Sequence, residues 1–185
     1  MKNVVVVISG PSGVGKGTIA RKLCENNPDI FLSISATTRA PRKGETHGKE
    51  YFFISKDEFQ KRIEEDGFLE YSNHFDNYYG TPKKEILAKL ADKDVILEID
   101  VNGGLSVKKN FPEAVLIMIA PPSVEAVKER LLKRNTETLD KIEKRLSRLE
   151  YELEKQKYYD YTVVNDNLDS AVLEVKEIIK KEKSK

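Results

Sequence analysis

VVVVISGPSGVGK, residues 4–16, places an apolar run directly before a glycine-rich turn and is the strongest indication of the fold. Its four valines and Ile8 form a continuous apolar run, which is typical of a strand buried on both faces of a parallel sheet. The turn leads into a segment with helical character that begins at Lys16. Strand, glycine-rich turn and helix in this order predict one unit of an α/β fold.

The turn itself matches the phosphate-binding pattern of a glycine, any four residues, a glycine and a lysine. Glycines let successive backbone N–H groups point inward at a phosphate, and the following helix adds its positive end. An ordinary glycine-rich turn is the alternative, but three glycines, a proline and a lysine at these spacings are rare in such turns. The Ser or Thr that usually follows the lysine and contacts Mg²⁺ is replaced by Gly17, and Thr18 comes next.

Composition excludes several classes of protein. The chain has 185 residues, 39% of them hydrophobic, which predicts one domain with a buried core and excludes a disordered chain. The net charge of +1 gives no support for a broad nucleic-acid-binding surface. No apolar run approaches the ~20 residues that cross a bilayer. A single cysteine, Cys24, permits neither an internal disulfide nor a cysteine zinc site, so we expect a cytoplasmic protein.

Further apolar runs at residues 95–99, 115–119 and 161–164 alternate with helical segments. This alternation predicts a mainly parallel sheet flanked by helices. Helices are expected at residues 16–25, 56–65, 82–90, 123–134, in a segment centred on 142–153, and at 168–179, with a frayed tail at 180–185. The segment 35–81 breaks the rhythm with polar loops and short strands, which indicates an inserted lobe.

A second candidate phosphate site follows the first helix. Residues 33–45 place Arg39 and Arg42 among several hydroxyl side chains. The planar fork of arginine suits phosphate oxygens, and hydroxyls complete such a site. From these residues alone, a solvated basic loop is an equally good interpretation.

In combination, these motifs resemble the guanylate kinases, nucleoside monophosphate kinases that convert ATP and GMP to ADP and GDP. The resemblance covers nearly the whole chain and is carried by the segments 10–16, 33–42, 48–53, 68–71, 77–81, 97–103 and 163–168. It implies a P-loop NTPase-type α/β sheet flanked by helices, with an inserted GMP-binding lobe and a helical lid. The implied core is 1–34, 82–125 and 149–185, the lobe 35–81 and the lid 126–148.

The resemblance also implies roles for individual residues. ATP would be bound by the loop, the first helical turn and a residue near the adenine end: Gly10, Pro11, Ser12, Gly13, Val14, Gly15, Lys16, Gly17, Thr18 and Asn165. The GMP phosphate would be held by Ser35, Arg39, Arg42, Tyr51 and Tyr79. Glu70 and Thr81 would recognise guanine, since a carboxylate accepts from N1–H and the N2 amine while a hydroxyl donates to O6. Glu98 stands where the family often has a guanine-contacting aspartate.

The catalytic residues would be Lys16 and three lid arginines, Arg130, Arg134 and Arg145. Arg148 is interpreted as a solvated helix charge. Magnesium would enter with ATP as the cofactor, held largely through water by Asp100 at the end of an apolar strand and by Thr18. No nucleic acid or membrane partner is expected, and a monomer and a homodimer remain open.

Two other functions are weighed against this one. Guanylate-kinase-like domains of scaffold proteins bind phosphopeptides without catalysis, but they have usually lost the phosphate loop that Lys16 completes here. A kinase acting on a sugar phosphate could use a related scaffold, but Glu70 and Thr81 favour a guanine acceptor.

Overall fold

The computed structural model describes residues 2–25, 27–74, 76–133 and 139–185, and at residues 74, 130–133 and 139–145 it describes the backbone alone. In chain order the elements begin with β1 (Val5–Ser9), α1 (Lys16–Glu25), β2 (Ile30–Leu32), β3 (Ala36–Thr37), β4 (Phe52–Phe53), α2 (Lys56–Glu64), β5 (Phe68–His74) and β6 (Asn77–Pro82). They continue with α3 (Lys83–Leu90), β7 (Asp94–Glu98), α4 (Val101–Asn110), β8 (Val115–Ala120), α5 (Val124–Lys133), α6 (Leu139–Glu154), a 3-10 turn at Lys155–Tyr158, β9 (Tyr161–Val164) and α7 (Leu168–Lys183).

The larger sheet has five strands in the order β2-β7-β1-β8-β9, and every pairing in it is parallel. All five residues of β1 are buried, as expected of a central strand covered on both faces. Val6 and Ile8 pack on the side of α1 and α7, whereas Val5 and Val7 pack on the side of α3 and α4. Helices cover both faces of a parallel sheet, so the predicted α/β class is confirmed.

A second sheet is built from residues 36–82, in the order β4-β3-β6-β5. The β3–β6 and β5–β6 pairs are antiparallel, and β4 runs parallel to β3. Phe59 of α2 fills its small core and stacks on Phe68 with ring centroids 4.4 Å apart. The carboxyl ends of the parallel strands and this second sheet together line the cleft described below.

Helix α4 is the main element that sequence patterns did not predict. Gly103 and Gly104 are poor helix formers, and they conceal the helix in the sequence. Asp100 begins it, because its Oδ1 accepts hydrogen bonds from the amides of Asn102 and Gly103 at 2.9 and 3.0 Å. A Cβ on Gly104 would lie 2.3 Å from the Tyr159 hydroxyl oxygen, so the glycine allows close packing there.

The expectation of a frayed C-terminal tail is wrong, since α7 continues to Lys183. The Lys183 amine pairs with the buried carboxylate of Asp94 at 2.7 Å, and Lys185 pairs with Glu182 at 2.7 Å. The Lys183–Asp94 pair holds the charged end of the helix against β7, and the Lys185–Glu182 pair lies within the C-terminal segment itself. Across the part of the chain that the structure describes, no helix is both long enough and apolar enough to cross a membrane.

Candidate active site

A cleft of about 690 Å³ brings together many of the residues that the sequence singled out. Ten of the predicted site residues line it: Gly10, Ser12, Gly13, Lys16, Ser35, Tyr51, Glu70, Tyr79, Glu98 and Asp100. They are spread over residues 10–100 and belong to both sheets and to the segments next to them. Folding therefore brings together residues that are distant in the sequence.

The loop at residues 10–16 joins β1 to α1 and forms one end of the cleft. Gly10 has a φ of +146°, and a Cβ there would lie 2.2 Å from the carbonyl oxygen of Ile119. The Lys16 amine donates to the carbonyls of Gly10 and Pro11 at 2.7 and 3.1 Å. The lysine therefore folds over its own loop and stands in the cleft.

Asn165 lies beside this loop and not along the cleft. It follows β9, is buried, and donates from Nδ2 to the carbonyl of Val14 at 2.7 Å. Gly15 has a φ of +104°, and a Cβ there would lie 2.5 Å from that amide nitrogen. Asn165 thus supports the loop backbone at Val14, and its role at the adenine end stays a prediction.

The charge of Lys16 is balanced by acidic neighbours. Burial lowers the pKa of the Lys16 amine, and the Glu98 carboxylate is the largest of the opposing influences, which raise it. Glu98 also lies against α1, because a Cβ on Gly17 would be 3.1 Å from its Oε2. The missing side chain at Gly17 therefore leaves room for the carboxylate next to the phosphate loop.

Oxygen donors for a magnesium ion are present at this end of the cleft. Glu98 is the last residue of β7, and Asp100 follows it by two positions. Both line the cleft beside Lys16. Among the described residues no group of three or more His, Cys, Asp or Glu side chains could hold a metal. A site with only one or two carboxylates fits Mg²⁺, because this ion keeps several of its waters and also binds substrate phosphates. Thr18 is exposed on α1 and does not line the cleft.

The opposite end of the cleft is lined by hydroxyl groups, and Arg39 lies next to them without lining the cleft. Ser35, Tyr51 and Tyr79 line it, and the two tyrosine rings lie 6.0 Å apart. Arg39 lies over the Tyr51 ring at 5.5 Å and pairs with Glu45 at 2.9 Å. Arg39 is therefore held against the residues that face the cleft.

Arg42 is placed differently from Arg39. Its side chain is exposed and does not line the cleft, and its backbone amide donates to Glu45 Oε2 at 2.7 Å. Glu45 thus links the two arginine positions, one through a guanidinium and one through a backbone amide. The sequence pattern did not single out this carboxylate, although it lies three residues after Arg42 in the same segment.

Glu70 and Thr81 form a buried polar pair between the neighbouring strands β5 and β6. The Thr81 hydroxyl donates to Glu70 Oε1 at 2.7 Å, and the exposed fractions are 0% for Thr81 and 6% for Glu70. Thr81 does not line the cleft, so it orients Glu70 in this structure and does not face the ligand space. Burial raises the pKa of Glu70 to about 7, and the Thr81 hydrogen bond opposes that rise.

Replacing Glu70 with glutamine is expected to stabilise the folded protein above about pH 7. The pKa of Glu70 rises from 4.5 to about 7 on folding, so the folded wild type favours the protonated carboxyl. The contribution of this group to the free energy of unfolding is therefore fully present below pH 4.5 and is lost as the pH rises through about 7. Glutamine has no such loss and keeps the bond from Thr81. The shift between low and high pH is on the order of 3 kcal/mol. Urea unfolding of both proteins at about pH 5 and pH 8 measures it; a pH-independent difference would contradict the assignment.

Three polar residues that were not predicted at the site line the cleft: Ser72, Arg148 and Glu152. Arg148 is exposed, as expected of a solvated helix charge, and its half-exposed side chain also lines the cleft and donates from Nε to Glu152 at 2.9 Å. A signal was present for Glu152, which follows Leu149 by three positions and so shares the apolar face of α6.

The three predicted lid arginines cannot be placed in the same way. Arg134 lies outside the described residues, and the side chains of Arg130 and Arg145 do as well. Their roles stay predictions.

Comparison with known proteins agrees with the geometry of the cleft. The guanylate kinase family model matches residues 2–182. A guanylate kinase of Caldanaerobacter subterraneus subsp. tengcongensis is 51% identical over 98% of this chain and 89% of the relative. One of Prochlorococcus marinus is 48% identical over 96% of this chain and 97% of the relative. The crystal structure of guanylate kinase from Anaplasma phagocytophilum matches with a TM-score of 0.80 and 30% identity, over 100% of this chain and 88% of that one. These matches confirm the resemblance that the motifs indicated, and the chain belongs to the guanylate kinase family.

Proposed function

We propose that this protein is a guanylate kinase that transfers the γ-phosphoryl group of MgATP to GMP, reversibly, giving ADP and GDP. One observation carries the proposal: the phosphate loop with Lys16 and the buried carboxylate of Glu70, which Thr81 orients, line one cleft. The loop suits the phosphates of a donor nucleotide, and the carboxylate suits a purine base. Family membership supports the same reaction.

At the donor end, the loop amides and Lys16 bind the β- and γ-phosphates of ATP. Lys16 exchanges its bonds to the loop carbonyls for phosphate oxygens. Asp100, with Glu98 beside it, would hold Mg²⁺ through water at these phosphates, where the ion offsets negative charge. Thr18 is a weaker magnesium contact, because the structure leaves it exposed on α1.

At the acceptor end, the GMP phosphate lies against Ser35, Tyr51 and Tyr79, with Arg39 supplying positive charge. The second pKa of a phosphate monoester is near ~6, so the attacking oxygen is already ionised and needs no strong base. Catalysis is then positioning and charge neutralisation. We propose that Arg42 and the lid arginines Arg130, Arg134 and Arg145 join when the nucleotides bind.

Guanine is recognised by Glu70, whose carboxylate accepts from N1–H and the N2 amine. Thr81 acts as a positioning residue, since its hydroxyl donates to that carboxylate. Adenine has no N1 hydrogen and no N2 amine, so AMP would leave the buried carboxylate unpaired.

The regions that we propose for GMP binding and for the core correspond to the two sheets. We propose that residues 35–81 are the GMP-binding lobe, that residues 126–148 are the lid, and that the rest is the core. Closure of these parts over both nucleotides would exclude water, which otherwise competes as the phosphoryl acceptor. The product GDP places the enzyme in purine nucleotide metabolism, and the single cysteine supports our prediction of a reducing, cytoplasmic compartment.

A panel of monophosphates tests the proposal. With ATP and Mg²⁺, coupled ADP release should rank GMP above IMP and IMP above AMP, because the bases offer Glu70 two, one and no donors. Each hydrogen bond to a charged group is worth about 1.5–3 kcal/mol, so each step should lower kcat/KM by roughly tenfold or more. UMP serves as a control for acceptor phosphate alone. Equal rates with GMP and AMP would refute the guanine assignment, and failure to bind ATP would favour a non-catalytic binding module.

A further inference from the structure

Glu152 is an unusual residue for its position on α6. It lies on the face that packs against the molecule and is 6% exposed, whereas its neighbours Tyr151 and Glu150 are exposed. Burying a carboxylate costs free energy unless a partner compensates. The partner that the structure gives it is Arg148, one helical turn earlier.

The ion pair with Glu152 does not use the two terminal nitrogens of the Arg148 guanidinium. Only Nε of the guanidinium donates to Glu152 Oε1, at 2.9 Å, and the Arg148 side chain is 50% exposed. Nε is one of the five N–H donors of arginine, and the remaining four sit on the two terminal nitrogens. Those are the atoms with which arginine binds phosphate in a forked geometry.

The cleft places Arg148 close to the phosphate loop. Arg148, Glu152, Lys16 and Ser12 line the same space. Arg148 also contributes to lowering the pKa of Lys16, after burial as the main cause, which means that the two cations lie near enough to repel. The Glu152 carboxylate, which raises the pKa of Lys16, offsets part of that repulsion, and phosphate oxygens between the two cations would offset more of it.

Helix stabilisation does not account for the pair. Exposed i,i+4 ion pairs contribute little, and the favourable orientation has the acidic residue nearer the helix N-terminus. Here the order is reversed, with the arginine first and a buried glutamate second. Arg62 and Glu58 on α2 form the ordinary version, with the glutamate first and the pair away from the cleft.

We propose that Arg148 contacts the phosphates of the donor nucleotide beside Lys16, and that Glu152 is a positioning residue that holds the guanidinium toward the phosphate loop. This inference rests on the proposed function for the identity of the donor nucleotide. It adds to the predicted arginines one whose position the structure describes. Its ligand class is a nucleoside di- or triphosphate, since a monophosphate does not reach both cations from the donor site.

Calorimetric binding of ADP and AMP to the full chain tests it. Arg148→Gln should weaken ADP binding by about ten- to a hundredfold, the loss of charged hydrogen bonds to phosphate. AMP binding should change less than twofold. Arg148→Lys should recover part of the ADP affinity, since it restores the charge without the fork. Arg62→Gln is the matched control and should bind both nucleotides as the wild type does.

The role of Glu152 is read from a double-mutant cycle. Glu152→Gln should weaken ADP binding by about three- to tenfold in the wild type and have no further effect in the Arg148→Gln background. Additive losses would show that Glu152 acts independently of Arg148 and would overturn its positioning role. Thermal unfolding of each variant identifies any that misfolds, and Arg148→Gln alone still decides the phosphate contact.

Unchanged ADP binding by Arg148→Gln, or equal weakening of ADP and AMP, would overturn the phosphate contact. Failure of the proposed function looks different. In that case the wild type itself would not phosphorylate GMP, whatever the variants do to ADP binding.

Discussion

Replacing Lys16 with methionine is expected to lower kcat by about 10²–10³-fold while leaving the fold intact. The lysine is the one cation that the phosphate loop itself supplies, and it stands over the loop with its amine 2.7 Å from the Gly10 carbonyl oxygen. In the transition state the moving phosphoryl group spreads negative charge over its oxygens, which a fixed cation stabilises. Methionine keeps the length of the side chain and removes only the charge and its donors.

Coupled assays of ADP release measure this effect, with Lys176→Met on the exposed face of α7 as the control. The control should retain wild-type kcat and KM. Circular dichroism and thermal unfolding should show a folded Lys16 variant, because its amine contributes only two bonds to loop carbonyls. A Lys16→Met protein with more than about a tenth of wild-type kcat would contradict the role assigned to the loop.

The second large effect is expected at Glu70. Glu70→Gln should lower kcat/KM for GMP roughly a hundredfold, which corresponds to a loss of about 3 kcal/mol of transition-state stabilisation. The reason is that the amide accepts only one hydrogen bond from guanine and presents an N–H donor where guanine also donates. The loss should appear mainly in the KM for GMP, and the KM for ATP should stay near the wild-type value. Glu64→Gln, an exposed acidic residue of α2, is the matched control.

The pH profile separates recognition from packing at Glu70. Burial raises the pKa of this carboxyl to about 7, so the form that binds guanine is lost as pH falls through 7. The wild-type KM for GMP should therefore rise up to tenfold per pH unit below about 7, beyond the change due to the GMP phosphate itself. Glu70→Gln retains only the phosphate contribution. Parallel profiles for both proteins would contradict the role of the carboxylate.

These expectations place stability and activity in opposition at one side chain. The glutamine that weakens GMP binding removes a buried titratable group that disfavours the folded state at neutral pH. A buried carboxylate that is hydrogen-bonded by Thr81 and still has a raised pKa is incompletely compensated until a base supplies further donors. The site is thus built to be completed by its ligand.

Much of the fold could be predicted from the sequence because continuous apolar runs mark strands that are buried on both faces. Residues 115–119 were predicted and are found in the fully buried β8, and the helix starting at Lys16 ends at Glu25 as expected. Helix α4 escaped prediction, because its stability comes from the Asp100 cap and from glycine packing against Tyr159. Tertiary contacts of that kind leave no periodic signal.

The candidate site follows the same rule. Lys16 and the loop glycines belong to one local motif whose spacing reports its geometry. Arg148 and Glu152 do not, because only the docking of α6 brings them to the loop. Thr81 and Asn165 were identified as site residues from motifs, and the structure shows their contacts to Glu70 and Val14, while their roles toward the nucleotides stay predictions. Motif spacing identifies which residues belong to a site without distinguishing ligand contacts from supports.

The amide of Asn165 that supports the Val14 carbonyl comes from a position 151 residues later in the chain. On the ribosome, the glycine-rich loop is among the first parts to emerge, and its support is among the last. A nascent or prematurely terminated chain that lacks β9 therefore carries the nucleotide-binding motif without the contact that shapes it.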